Sequence, residues 1–361
     1  MRRSRSRGVL PKIGALLVAS LLCVALGELL VRSLFAERIV LFPRFHTGAT
    51  YGDFELRRLR PNSRFRHTSA DGRWDFTTNA QGFRDTEDYS HAKSPELLRV
   101  VVLGDSHTEG FEVRQSATYP EVAERALIRG GRVAQVMNTG ISGFSTAEAL
   151  VFLEQEGVRY EPDVVVLGLF ANDFDDNVKA GLFALDDGEL RVRKRRHVPG
   201  VRILDTIHRI PGLPWLSQHS YLYSLGFNTA WSVAKNLLLE RREAELATEY
   251  AVAGTEIDVH KQRLLVQLVQ RLFGFCRDHG IALIIVDIPQ ISNEGFSSSI
   301  PEGLQLEIAA ASDAVISSEA VFGTYRGVVD LHVPRGQQHI NEFAHAMLGV
   351  AAARAVEELL P

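Results

Sequence analysis

The clearest signal along the chain is a change of period. From Leu97 onward, short apolar runs alternate with stretches whose apolar residues recur every three or four positions. Val100–Leu103 is a continuous run of β-branched and aliphatic residues, as in a strand buried on both faces of a parallel sheet. Val133–Met137, Val164–Phe170, Ala282–Ile288 and Val328–Leu331 repeat the pattern and predict four more strands. Between them, Tyr119–Arg129 is amphipathic and stops at Gly130-Gly131, and Ser145 or Thr146 caps a helix running to about Gly157. A long helix is expected from about Ile257 to His279, and Glu342–Leu360 closes the chain as another. Strands alternating with helices predict an α/β domain whose parallel sheet is covered on both faces.

Two regions depart from that rhythm. Arg38–Tyr89 has little period beyond Trp74–Thr78, with turn signals at Pro61-Asn62 and Asp71-Gly72. This juxtamembrane segment, residues 36–96, is expected to pack as an edge hairpin on the main domain, residues 97–361. An insertion at about 177–255 separates the third and fourth strands. Its basic run Arg191–His197 is expected on a solvated hairpin; the alternative is contact with anionic lipid head groups or acidic polysaccharide. Its aromatic segment, Trp215–Trp231, is expected in the core or in a cleft wall, and Leu237–Tyr250 reads as a helix.

The N-terminus is of another kind. A basic leader over 1–12, with Arg2, Arg3, Arg5, Arg7 and Lys12, precedes an apolar stretch from Ile13 to Val31. Nineteen helical residues span about 28 Å, close to the thickness of a hydrocarbon core. Basic residues before such a stretch keep the N-terminus in the cytoplasm and send the rest across. The segment 13–35 therefore reads as a transmembrane signal anchor in the cytoplasmic membrane, with the domain on the extracytoplasmic side. A cleaved signal peptide is the alternative, because Ile13–Gly27 has h-region length, but apolar character resumes in Leu29-Leu30-Val31. No acylation box leads into Cys23, which argues against a lipoprotein.

Composition adds only exclusions. The 361 residues are 45% hydrophobic and 23% charged, enough for an ample core, and a net charge of −4 gives no reason to expect nucleic acid as a partner. Of the two cysteines, Cys276 alone lies in the domain, so neither an internal disulfide nor a cysteine zinc site can form there.

Candidate chemistry gathers at the carboxyl ends of the predicted strands, where open α/β sheets place their sites. Gly104-Asp105-Ser106 follows the first strand and reads equally as a turn or as the seat of a nucleophile. Gly143 follows the second, where a backbone N–H could face the serine. Asn172 follows the third, with an amide that can donate to an oxyanion, and His339 follows the fifth, just before the last helix. A serine needs a neighbouring base to become nucleophilic, and the developing oxyanion needs preorganised donors. Each residue alone is ordinary; together, in that order, they supply every role. A phosphate cradle over Gly104–Gly110 is disfavoured because no glycine-rich turn with a lysine follows. A metal site from His332, His339 and His345 is disfavoured by its spacing, and neither metal nor cofactor is expected.

With these blocks the chain resembles the SGNH hydrolases, the GDSL lipase/esterase family. Gly104-Asp105-Ser106 resembles the first block, Gly143 the glycine of the second, Asn172 the asparagine of the third and His339 the base of the fifth. The resemblance implies a flavodoxin-like three-layer α/β/α sandwich, with the Ser106 amide, Gly143 amide and Asn172 side chain as the oxyanion hole. The order of segments is similar to that of membrane-anchored bacterial members, in which a stretch like Thr77–Arg84 stands between the anchor and the serine block. Two positions depart from the pattern. Gly336 stands where the family usually has the aspartate that orients the histidine, leaving a Ser106–His339 dyad or Asp330 as a substitute partner. Phe170-Ala171 stands where a glycine is usual. The function implied is a serine-dependent ester hydrolase acting on an envelope ester, an O-acylated carbohydrate or lipid. Alternatives are an O-acyltransferase of envelope polysaccharide on the same fold, and a non-catalytic envelope-binding protein.

Overall fold

The computed structural model describes residues 9–360 apart from 44, 199, 234–253, 293–294, 328–329 and 336–338. Helix α1 (Val9–Phe35) is followed by two antiparallel hairpins, β1 (His46–Tyr51) with β2 (Phe54–Leu59) and β3 (Arg64–Thr68) with β4 (Arg73–Thr77). Then come β5 (Leu98–Leu103), the one-turn helix α2 (Ser106–Glu109), α3 (Tyr119–Arg129), β6 (Ala134–Asn138), α4 (Thr146–Gln155), β7 (Val164–Leu169) and α5 (Asp173–Ala180). The insertion holds the hairpin β8 (Phe183–Asp186) and β9 (Glu189–Val192), the two-residue β10 (Arg196–His197), and helices α6 (Val201–Arg209), α7 (Leu213–His219) and α8, described over 221–233. Helix α9 (Gly254–Asp278) leads to β11 (Ala282–Asp287) and the small hairpin β12 (Gln290–Ser292) with β13 (Gly295–Ser297). The chain ends in α10 (Gln305–Ala310), β14 (Ala314–Ile316), α11 (Ser318–Phe322) and α12 (Glu342–Leu359). The expected helix Leu237–Tyr250 lies outside the described residues.

Strands β6-β5-β7-β11-β14 form one parallel sheet. Numbered by appearance the order is 2-1-3-4-5, which is flavodoxin-like. The continuous apolar runs follow from burial on both faces. Val100, Val102, Val166, Ile284 and Val286 pack under α3 and α12, while Val101, Leu103, Val165, Leu167 and Ile285 pack under α4 and α9. The fold is a three-layer α/β/α sandwich. The chain reverses direction across the sheet between β5 and β7, so the crevice beyond their carboxyl ends is the expected site.

One strand is corrected. The fifth strand of the sheet is β14, Ala314–Ile316, rather than Val328–Leu331. Residues 328–329 lie outside the description, Asp330 and Leu331 are not in a strand, and His332 makes only an isolated bridge with Ile340. An edge position needs hydrogen bonds on one side only, so three residues beside Ile284–Val286 suffice.

The segment before the sheet belongs to the same core. Phe45, Leu56, Leu59, Phe65, Phe76 and Phe83 pack in one cluster with Val101, Leu103, Phe144 and Leu150. The insertion is stitched to it, because β10 pairs in parallel with β2, setting Arg196 beside Glu55 and His197 beside Leu56. The basic run divides accordingly. Arg191 and Arg195 are exposed, whereas His197 is pulled inward against Glu148 at 2.5 Å. Among the aromatics, Trp215 is 60% exposed, which corrects the expectation of a core or cleft-wall position. From Pro11 to Leu26 helix α1 stands clear of the body, with every leucine and valine from Leu16 to Leu30 exposed, and it is long and apolar enough to cross a membrane.

Candidate active site

The turn that carries Ser106 is built by backbone geometry. Gly104 leaves β5 at φ +153°, a conformation that L side chains rarely adopt, and a Cβ there would meet Thr108 Oγ1 at 2.1 Å. Asp105 then caps α2, one oxygen accepting from the His107 N–H at 2.8 Å and the other from Asn172 Nδ2 at 3.1 Å. Burial pushes the Asp105 carboxyl up to about 6, against the pull of those two hydrogen bonds. Ser106 is the first residue of α2, and among the described residues its N–H meets no acceptor.

The fold brings His339 to that serine across 233 positions of sequence. Its Nε2 lies 2.8 Å from Ser106 Oγ. The ring is sandwiched, with Phe111 on one side at 4.7 Å between centroids and His107 stacked at 4.6 Å. His107 packs onward against Phe170 at 4.0 Å and is held well below its ordinary pKa by burial, so it stays neutral beside His339. Asp330 is exposed, and its backbone carbonyl accepts from Asn341 Nδ2. No hydrogen bond joins its carboxylate to His339 among the described residues. Gly336 lies outside them.

Gly143 sits in the loop after β6 at φ +74°. Neighbouring contacts fix that loop closely. The Ile141 N–H donates to Gly104 O at 3.1 Å, and the Ser142 N–H donates to Glu109 Oε2. The Gly143 carbonyl accepts from Arg57 Nη2, and the Gly143 N–H meets no acceptor among the described residues. A Cβ on Gly143 would lie 2.2 Å from that arginine nitrogen, a second reason for glycine there. Asn172 follows β7 and keeps one of its two amide hydrogens after bonding Asp105. The arrangement therefore offers a hydrogen-bonded serine and imidazole beside the loop and amide expected to supply the remaining donors.

Residues 102–271 match the family model described as GDSL-like Lipase/Acylhydrolase family. Residues 102–271 belong to the GDSL-like lipase/acylhydrolase family. The match takes in Ser106, Gly143 and Asn172; His339 lies beyond it and is delivered by the fold. An arylesterase of Vibrio mimicus is 35% identical over 82 residues, 23% of this chain, and the alignment covers 41% of that relative's length. Among solved structures, TesA aligns with 73% of this chain and 99% of its own at 15% identity and a TM-score of 0.40. The lipase/acylhydrolase from Enterococcus faecalis aligns with 73% and 97% at 16% identity and a TM-score of 0.42.

Residues inside and outside the GDSL-like match surround the site without having been assigned to it by sequence reasoning. Arg84 is fully buried, its Nη1 donating to Glu109 O at 2.7 Å and to Gly110 O, and its Nη2 to Val113 O at 2.6 Å. It thereby pins the loop after α2. Phe111, His107, Glu109 and Arg57 were also missed. Glu109 and His107 lie within the serine block itself, but nothing in their spacing announces where their side chains go. Arg57 carries no signal, because a charged residue in an aperiodic segment ordinarily faces solvent.

Proposed function

We propose that the chain is a serine-dependent ester hydrolase whose acyl-enzyme forms on Ser106. The observation that carries this reading is the 2.8 Å contact between Ser106 Oγ and His339 Nε2. In the proposed reaction His339 takes the Oγ proton as Oγ bonds to the acyl carbon. The carbonyl electron pair moves to oxygen, and the resulting oxyanion is held by the Ser106 and Gly143 amides and by the Asn172 side chain. Collapse of this adduct breaks the ester bond, and imidazolium returns the proton to the departing alkoxide. Water, deprotonated by His339, then releases the acid and restores the serine. His107 and Phe111 keep the imidazole plane fixed through both proton transfers. Every proton transfer in these steps runs between Ser106, His339, the leaving group and water.

The substrate class we infer is an ester of the cell envelope, an O-acylated carbohydrate or lipid. Support comes from α1: an exposed apolar helix behind a leader with four arginines suits a cytoplasmic-membrane anchor that holds the domain on the extracytoplasmic side.

The test uses the full chain in detergent, a fluorophosphonate probe and a short-chain acyl ester. Labelling and turnover are expected in the parent and are lost in Ser106→Ala. His339→Gln is expected to lower kcat by roughly a thousandfold or more. A folded parent protein that neither labels nor turns over would sink the hydrolase reading.

A further inference from the structure

The oxyanion loop is gripped by a pair of opposite charge, Glu109 fully buried and Arg57 half-buried. Glu109, the last residue of the nucleophile helix, is fully buried and takes the Ser142 N–H. Arg57, from hairpin strand β2, donates to the Gly143 carbonyl. These bonds hold the two peptide units flanking the one that carries the Gly143 N–H. That unit is left with its donor uncommitted among the described residues, as an oxyanion donor requires.

Each member of the pair depends on its surroundings. Burial pushes Glu109 up and Arg57 down, and each charge counters the shift of the other. The charges of Glu148 and Asp176 also favour the charged form of Arg57. Glu148 in turn accepts from Ser145 N at 2.8 Å, which starts α4, and takes His197 of β10. Strand β10 lies along β2 beside Arg57, at Glu55 and Leu56. The insertion is therefore paired to the strand that carries Arg57, and the Arg57 guanidinium ends on the loop of Gly143.

We propose that Arg57 and Glu109 are positioning residues that clamp the Ser142–Gly143 turn from opposite sides, so that the N-terminal hairpin is a working part of the active site. The proposal rests on reading Ser106 as nucleophile and Gly143 as oxyanion donor. It assigns neither residue a contact with the ester. What they supply is a loop that need not reorganise when charge develops, and this acts on the transition state and not on substrate binding.

The experiment is steady-state hydrolysis of a short-chain acyl ester by the full chain in detergent, for Arg57→Met, Arg57→Lys, Glu109→Gln and Glu109→Leu. Thermal unfolding of each protein gives the folded fraction. Arg57→Met and Glu109→Leu are expected to lower kcat by about 100- to 1,000-fold, the range for loss of one oxyanion donor, with KM within twofold. Arg57→Lys keeps a cation and Glu109→Gln keeps an acceptor for Ser142, so each should recover about tenfold of the loss. The double variant Arg57→Met/Glu109→Leu should be no worse than the weaker single one, because both act on one turn. The acid limb of kcat/KM, which reports His339, should not move. A raised KM at unchanged kcat would make Arg57 a substrate-binding residue and overturn the proposal. So would a loss of activity that tracks the folded fraction, or no loss at all. A parent protein without activity or fluorophosphonate labelling would instead remove the hydrolase reading on which the clamp stands.

Discussion

Asp105 ties together parts of the site that come from different strands. One oxygen caps the helix that starts at Ser106, and the other holds the Asn172 amide. Both partners are donors, so the ionised carboxylate fits them and a protonated one does not. With its carboxyl raised to about 6, Asp105 keeps that ionised form at a cost to stability. A carboxyl raised in the folded state binds protons more tightly than in the unfolded chain. Its contribution to stability is therefore largest below the ordinary aspartate value, and it declines as pH rises towards about 6. Asp105→Asn should separate the two effects. Its amide nitrogen can be satisfied by neither the His107 N–H nor Asn172 Nδ2, so kcat should fall about 10- to 100-fold, in line with the loss of about 1.5–3 kcal/mol for a hydrogen bond to a charged group. Relative to the parent, urea unfolding should be more favourable to the variant at pH 7 than at pH 5. A variant with full kcat, or with the same stability difference at both pH values, would contradict this account.

At the scale of elements, the loop after α2 depends on Arg84 as the oxyanion loop depends on Arg57. Arg84 satisfies three backbone carbonyls through a planar fork, and its guanidinium lies 4.0 Å from the Phe76 ring centroid. A lysine has no such fork. Arg84→Lys should leave at least one buried carbonyl unpaired, at about 1–3 kcal/mol each, and lower the guanidinium-chloride midpoint with an unchanged slope. A midpoint equal to the parent's would show that the three contacts contribute nothing net. The contrast between the two kinds of element explains what could be read from the sequence. Strands β5, β7 and β11 are buried on both faces, so their composition alone declares them, and the turns after β5, β6 and β7 display Ser106, Gly143 and Asn172. Strand β14 has only Ala314, Val315 and Ile316, flanked by serines and Asp313, and is too short to stand out from Val328–Leu331. Hairpins β1–β2 and β3–β4 alternate poorly. Arg64 and Arg66 are exposed beside buried Phe65, but Arg57 and Arg58 interrupt β2 because both stay half-buried. The partner of Arg57, the Gly143 carbonyl, stands 86 positions along the chain, and no local pattern encodes it.

At the scale of the whole molecule, α1 is fastened to the insertion. Glu28 accepts from Ser220 Oγ at 2.7 Å, Tyr221 N at 2.9 Å and Leu222 N at 3.0 Å, capping the start of α8 with a carboxylate. Leu222 also closes on Gly27, where a Cβ would lie 3.2 Å from its methyl. The apolar stretch Ile13–Val31 has nineteen residues and a length of about 28 Å, the thickness of a hydrocarbon core, and Glu28 lies in its last turn. With α1 spanning a bilayer as proposed, the α7–α8 junction lies at the lipid boundary, on the side of the active-site domain. Trp215 is five residues before Ser220, exposed, and stacked on His219 at 4.7 Å between ring centroids. An amphipathic ring at that level favours the head-group region. In liposomes holding the full chain with Trp74→Phe and Trp231→Phe, Trp215 emission should be quenched more by lipids spin-labelled near the head group than by lipids labelled at the chain end. Strong quenching by aqueous acrylamide with none from either lipid would place α7 in water and separate the insertion from the membrane. Lipid quenching would instead fix the depth at which the insertion sits, and with it the standoff of Ser106. The enzyme would then reach only esters presented at one height above the bilayer, a restriction set by the Glu28 cap and not by the shape of the cleft.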